Sequence, residues 1–252
     1  MSLQTIKAMK DMSPITAVIL AGGLGKRLRG VVSDRPKVLA EVNGRPFLTY
    51  LLDQLAEAGI NSVILCTGYM ADSISKEIGN LYNGVKITYS RENKPLGTGG
   101  ALRLAVSNLN LKYVLVMNGD SYIGIDFKDF IEWHVKRGCS ASIVLVTADD
   151  AGRYGSVTVD ENGRILSFKE KGKDLKAGWI NAGIYMFDDE ILQYLRKNTL
   201  SSLEKDLFPS LVGKGLHGYC CRGNFIDIGT PDSLIRAKNL FSENTNNFYS
   251  ST

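Results

Sequence analysis

The sequence predicts an α/β fold: a mainly parallel mixed sheet with helices on both faces and an added antiparallel hairpin region. Two observations carry this. Short continuous apolar runs alternate with helical patterns through the first half of the chain, and after Asp149 the texture changes to alternating segments joined by turn signals.

Residues 1–12 carry polar residues and methionines without periodicity and form a flexible N-terminal extension, while 242–252 are polar enough to fray as a flexible tail. The working domain is therefore expected at 13–241. Strands are expected at Ala17–Leu20, Ser62–Cys66, Val85–Tyr89, Tyr113–Met117 and Ser142–Val146, because β-branched runs of this length suit burial on both faces. Between them Leu48, Leu51, Leu52, Leu55 and Ala58 share one helical face, with Gly59 as the stop, and Ala101, Leu104 and Ala105 repeat the pattern. Gly155–Val159 and Arg164–Phe168 flank an Asn162-Gly163 turn and predict a hairpin added to the sheet.

At 252 residues and 44% hydrophobic, the chain can bury a sizeable core as one domain. A net charge of +4 without a polybasic block suits phosphorylated small molecules rather than nucleic acid. Cys66, Cys139, Cys220 and Cys221 form no CxxC pair and read as reduced thiols of a cytoplasmic protein. His134 and His217 lack neighbours at zinc spacing, so a metal would be held by oxygen. The apolar run Ile15–Ala21 falls far short of the roughly 20 residues that span a bilayer, and no cleavage signal follows it; export and membrane insertion are not expected.

The strand at 17–20 runs directly into Ala21-Gly22-Gly23-Leu24-Gly25-Lys26-Arg27-Leu28, so flexible backbone and two cations sit where open α/β sheets bind ligands. Glycines let backbone N–H groups approach phosphate oxygens, and Lys26 and Arg27 can neutralise a triphosphate. The Walker pattern fails, since it needs glycine at Leu20 and Ser or Thr at Arg27; the dinucleotide fingerprint fails at Leu28. Arg35-Pro36-Lys37 follows, with the proline stiffening the approach of Lys37. Asn118-Gly119-Asp120 ends the strand at 113–117, which brings the Asp120 carboxylate to the same edge. Asp227 lies between Ile226 and Ile228, ahead of a helix start capped by Thr230 with Pro231 in its first turn.

Leu20-Ala21-Gly22-Gly23-Leu24-Gly25-Lys26-Arg27-Leu28 followed by Arg35-Pro36-Lys37 closely resembles the signature of the sugar-1-phosphate nucleotidyltransferases. The resemblance continues at Pro95–Ala101, Asn118–Asp120, Phe168–Lys171, Asn181–Tyr185 and Asp227–Pro231, in the family's order. It implies the Rossmann-like three-layer fold of that family and a Mg²⁺-dependent transfer of a nucleoside monophosphate to a sugar 1-phosphate with release of pyrophosphate. Asp120 and Asp227 would together hold the Mg²⁺ and must then converge in space. Leu20, Ala21, Gly22, Gly23, Gly25, Lys26, Arg27, Lys37, Gly97, Thr98, Asn118 and Gly119 would bind the nucleotide, with Arg27 on the leaving pyrophosphate and Lys37 on the α-phosphate. Lys26 stands where many relatives have threonine, and Gly172 replaces the usual proline after Glu170-Lys171. Lys171 would grip the sugar phosphate, and Tyr154 or Gly155, Glu170 and Asn181 would face the sugar hydroxyls.

Glu92, five residues before Gly97, falls where the family reads the base edge. A carboxylate offers acceptors only and matches the adjacent N1–H and N2–H₂ donors of guanine, which favours GTP. The stretch Val31–Lys37 and the chain length look most like the D-glycero-D-manno-heptose 1-phosphate guanylyltransferases, with mannose 1-phosphate and donors other than GTP as competitors. Two readings of other kinds stay open: a non-catalytic nucleotide-sugar-binding subunit on the same fold, and a nucleotide-sugar-dependent glycosyltransferase. The oligomeric state is open as well, a homo-oligomer included.

Overall fold

Aliphatic and β-branched runs become central strands because they can be buried on both faces at once. The computed structural model describes residues 15–25, 27, 28, 30–148, 156–169 and 178–248. In chain order the strands are β1 Thr16–Leu20, β2 Glu41–Val42, β3 Arg45–Pro46, β4 Ser62–Thr67, β5 Leu81–Tyr82, β6 Val85–Arg91, β7 Tyr113–Asn118, β8 Ser121–Ile123, β9 Ala141–Ala148, β10 Ser156–Val159, β11 Ile165–Lys169, β12 Gly178–Asp188, β13 Leu216–Cys221 and β14 Phe225–Asp227. The helices are α1 Phe47–Glu57, α2 Ala71–Ile78, α3 Gly97–Val106, α4 Phe127–Arg137, α5 Asp189–Lys197, α6 Phe208–Leu211 and α7 Pro231–Phe248. A π-helical turn at Leu203–Leu207 leads into α6.

Strands β6, β4, β1 and β7 lie side by side and parallel. The 11-residue strand β12 then runs antiparallel along β7 and also pairs with β9 and β10. The expected hairpin forms between β10 and β11, and β13 adds parallel to β9. The sheet is therefore mixed, with the parallel strands gathered around β1.

Alternation along the strands divides the core in two. Ala17, Ile19, Leu115 and Met117 face one side, packed by α1, α4 and α7 through Leu48, Leu52, Phe130 and Ala237. Val18, Val114 and Val116 face the other, covered by α3, α5 and α6 through Leu102, Leu192 and Phe208. This is the three-layer arrangement that a sheet with two apolar faces requires.

Local signals terminate the elements. α1 stops where Gly59 takes φ +79° and Ile60 N donates to Leu55 O at 2.9 Å. α7 starts with a reciprocal cap in which Ser233 N donates to Thr230 Oγ1 at 3.3 Å and Thr230 N donates to Ser233 Oγ at 3.0 Å. The backbone of α7 continues to Phe248, past the boundary that polar composition sets at 241. Phe241 anchors this helix, its ring stacked on Tyr50 at 4.0 Å and edge-on to Tyr122 at 4.7 Å. The extension 1–12 lies outside the described residues, among which no helix is long and apolar enough to cross a membrane.

His134 of α4 is fully buried, with Nδ1 at 2.7 Å from Ser142 Oγ. Burial, reinforced by His217, lowers its pKa from 6.5 to about 4. The unfolded chain therefore binds this proton first, so the stability is complete above the ordinary histidine value and falls as pH drops towards the folded value. Urea titrations should show a loss of about 2 kcal/mol between about pH 8 and pH 5 from this residue. A His134→Gln variant should lack that part of the slope; an unchanged slope would show that His134 is not buried neutral.

Candidate active site

The parallel strands end together. Leu20 is in register with both Cys66 and Asn118, and the ladder runs on past the strands: Ala21 N donates to Cys66 O at 2.8 Å, Gly119 N to Leu20 O at 3.0 Å and Glu92 N to Thr67 O at 2.9 Å. The carboxyl ends of β1, β4, β6 and β7 thus deliver the glycine loop, Gly68, Glu92 and Asn118–Asp120 to one edge, where open α/β sheets bind ligands.

A cleft of about 300 Å³ opens there, lined by Leu20 to Leu24, Lys37, Val38, Cys66, Glu92, Pro95, Gly97, Thr98, Ala101, Asn118 and Asp120. Its shape depends on close approaches. A Cβ on Gly22 would come within 2.8 Å of Glu92 Oε1, so only glycine lets that carboxylate lie against the loop. Leu96 N donates to Glu92 Oε2 at 3.0 Å and fixes the side chain. Gly97, at φ +75°, opens α3 where any Cβ would collide with the Ser201 carbonyl oxygen. Burial, with Glu92 adding to it, pushes the Cys66 thiol up to about 12, so it stays a neutral thiol in the cleft lining.

A second cleft of about 290 Å³ is lined by Arg27, Ser121, Phe168, Asn181, Gly183, Ser202, Glu204, Lys205, Phe225 and Asp227. It shares Thr98, Asn118 and Asp120 with the first. Two compartments therefore meet at a wall of one hydroxyl, one amide and one carboxylate.

Lys37 Nζ donates to Asp120 Oδ2 at 2.6 Å. The lysine is carried on the turn Lys37–Leu39, pinned by buried Val38 and Leu39. Burial works to raise the pKa of Asp120, and the adjacent ammonium of Lys37 outweighs it, so the carboxyl is held below its ordinary value and is anionic at neutral pH. Asp227 reaches the same cleft through the β8/β14 ladder, where it pairs with Ser121 while Ile228 N donates to Asp120 O at 2.9 Å. Asp120 and Asp227 both line the second cleft. They are hard oxygen donors in a set too small to close around an ion, since no cluster of three or more acidic, His or Cys groups suited to a metal occurs among the described residues. A cation here would take the rest of its ligands from substrate oxygens.

Residues 16–244 match the family described as Nucleotidyl transferase. The chain belongs to this nucleotidyl transferase family. The transferase is 38% identical over 223 residues to the D-glycero-alpha-D-manno-heptose 1-phosphate guanylyltransferase of Aneurinibacillus thermoaerophilus, covering 88% of this chain and 96% of that protein. It is 34% identical to the mannose-1-phosphate guanylyltransferase of Mycobacterium tuberculosis, covering 88% of this chain and 63% of that longer protein. Its backbone superposes on the crystal structure of HddC from Yersinia pseudotuberculosis complexed with GMP-PN with a TM-score of 0.78 at 35% identity, covering 90% and 99% of the two chains.

Of the residues singled out in the sequence, the transferase brings Leu20 to Gly23, Lys37, Glu92, Gly97, Thr98, Asn118 and Asp120 around one cleft and Arg27, Asn181 and Asp227 around the other. Gly25 packs beneath Lys37 and Gly119 against Leu20 O, so both support the lining. Lys26, Tyr154, Gly155, Glu170 and Lys171 lie outside the described residues. Glu204 carried no signal in the sequence, and Tyr185 stood there only as the end of the matched stretch Asn181–Tyr185; their oxygens bond to Thr98, Asn118 and Asn181. Nothing in the run Ser201–Leu207 marks Glu204, because its partners are distant in sequence.

Gly97→Ala should destabilise the transferase by about 1–3 kcal/mol, from the left-handed backbone and the collision with Ser201. Urea unfolding measures this, and a midpoint equal to the wild type would contradict the close approach.

Proposed function

We propose that this transferase moves GMP from GTP to D-glycero-D-manno-heptose 1-phosphate, forming the nucleotide sugar and pyrophosphate. The observation that carries the reading is the pair of clefts sharing Thr98, Asn118 and Asp120. A two-substrate transfer needs its reacting groups to meet at one wall. The 38% identity to a heptose 1-phosphate guanylyltransferase and the likeness to HddC support the donor and the sugar. Mannose 1-phosphate is the second acceptor to consider, given the 34% identity to a mannose-1-phosphate guanylyltransferase.

GTP occupies the first cleft, its phosphates running along the glycine loop past Lys37 to Arg27 at the second cleft, from which the sugar phosphate approaches. A phosphate oxygen of the sugar 1-phosphate attacks the α-phosphorus in line, the bond to the bridging oxygen breaks, and pyrophosphate leaves. The nucleophile is already an anion, so no general base is needed. The task is to hold two anions together and neutralise the charge that grows on the leaving group. Lys37 serves the α-phosphate, Arg27 the pyrophosphate and Lys171 the sugar phosphate, with Lys26 as a further phosphate contact. Tyr154, Gly155, Glu170 and Asn181 hold the sugar. Asp120 and Asp227 would hold Mg²⁺, which when bound supplies positive charge to the phosphate oxygens.

Glu92 reads the base. Its carboxylate lines the first cleft and is fixed by Leu96 N, with acceptor capacity left for the N1–H and N2–H₂ of guanine.

Steady-state pyrophosphate release with GTP and with inosine triphosphate, which lacks the N2 amino group, tests this assignment. Wild type should prefer GTP, and Glu92→Gln should lower kcat/KM for GTP about 10–100-fold while shrinking the gap between the two nucleotides. An unchanged gap would remove Glu92 from base recognition. Asp120→Asn should lower kcat about 10³-fold or more with its circular dichroism intact. Full turnover by that variant would overturn the metal assignment.

A further inference from the structure

Thr98 and Asn118, two of the three residues shared by the clefts, are joined behind the wall by a hydrogen-bonded chain. Tyr185 of β12 is fully buried, and its hydroxyl accepts from Asn181 Nδ2 at 2.9 Å and from Asn118 Nδ2 at 3.4 Å. Its one proton goes to Glu204 Oε1 at 3.2 Å. Glu204 Oε2 accepts from Thr98 Oγ1 at 2.7 Å and from Ser202 Oγ at 2.9 Å.

Thr98 Oγ1 also accepts from Leu203 N at 2.9 Å and Ser202 Oγ from Lys205 N at 3.1 Å, which holds both hydroxyls in place beside Glu204. Glu204 receives three hydrogen bonds across its two oxygens, a pattern that the glutamine amide, with one oxygen, cannot reproduce in full. Burial and then the Glu204 charge raise the Tyr185 phenol well above its ordinary value, which keeps its proton on. The far end is equally confined: Gly183, at φ +79°, lies so close to Asn118 that a Cβ would come within 2.9 Å of Nδ2. The irregularity in the β12/β9 pairing, between Asn181 and Tyr185, is thus seated at the second cleft, which Asn181 and Gly183 line.

We propose that Glu204 and Tyr185 are positioning residues for the transfer step: a strut that fixes Thr98 and Asn118 on one side and Asn181 on the other, and so sets the separation of the two phosphates. The strut rests on the transfer reading above. Tyr185 lines neither cleft and Glu204 only borders the second, so loss of the strut should leave each substrate bound but no longer aligned. Misalignment of reacting groups by even about 1 Å can cost on the order of 100-fold in rate.

Pyrophosphate release by Glu204→Gln, Tyr185→Phe and the double variant tests it, with rates normalised to the folded fraction from circular dichroism. Each single variant should lose about 10–100-fold in kcat with KM for both substrates within about threefold of wild type. The double variant should be no slower than the worse single one, because the residues act as one unit. Should Tyr185→Phe fail to fold, Glu204→Gln, which keeps side-chain volume, decides alone. Undiminished kcat in Glu204→Gln, or a loss confined to KM, would overturn the strut. A wild-type enzyme that releases no pyrophosphate would instead overturn the transfer reading itself.

Discussion

The Lys37 ammonium on the Asp120 carboxylate, at 2.6 Å, is the contact around which this edge of the sheet is organised. Asp120 ends the turn after β7, where burial alone would favour its neutral form, and Lys37 reverses that preference. The surroundings serve the pair. Gly25 lies against the Lys37 side chain, with a Cβ there only 3.1 Å from Lys37 Cβ, while Val38 and Leu39 anchor the turn in the core. Asp227 arrives beside Asp120 because β14 is hydrogen-bonded to β8, the strand that follows Asp120 directly.

From this contact the chemistry of the site follows. Two anionic substrates repel each other, and a site that joins them must supply fixed positive charge without long-range motion. Here the cations and carboxylates are spread across two clefts and meet at a three-residue wall. The parallel strands provide rigidity, since four strand ends in register cannot shift independently. The antiparallel strand β12 supplies the second cleft by running along β7 and presenting Asn181 and Gly183 beside Asn118.

Much of this was legible in the sequence, and for physical reasons. The five apolar runs became β1, β4, β6, β7 and β9; four are buried on both faces as expected, whereas β6 alternates, with Val85 and Ile87 buried and Lys86 and Thr88 exposed. The Asn162-Gly163 turn gave the β10/β11 hairpin, and Gly59 and Thr230 marked helix ends through local backbone chemistry. Strand order was not legible: periodicity says that a segment is buried but not which neighbour it pairs with, so the position of β12 between β7 and β9 had no signal. The strut through Tyr185 and Glu204 was invisible for the same reason, since its bonds to Thr98 and Asn118 cross 106 and 67 residues. The polar stretch after 241 read as a tail, yet Phe241 stacked on Tyr50 starts the last turns of a helix that continues to Phe248.

The two clefts are proposed to hold a nucleoside triphosphate and a sugar 1-phosphate that react across their shared wall. A matrix of the four common ribonucleoside triphosphates against manno-configured and other sugar 1-phosphates, read by pyrophosphate release with Mg²⁺ present, tests it most directly. Release should occur only when both substrates are present, with the highest kcat/KM for GTP and D-glycero-D-manno-heptose 1-phosphate. No release from any pair, or equal turnover with GTP and UTP, would contradict it.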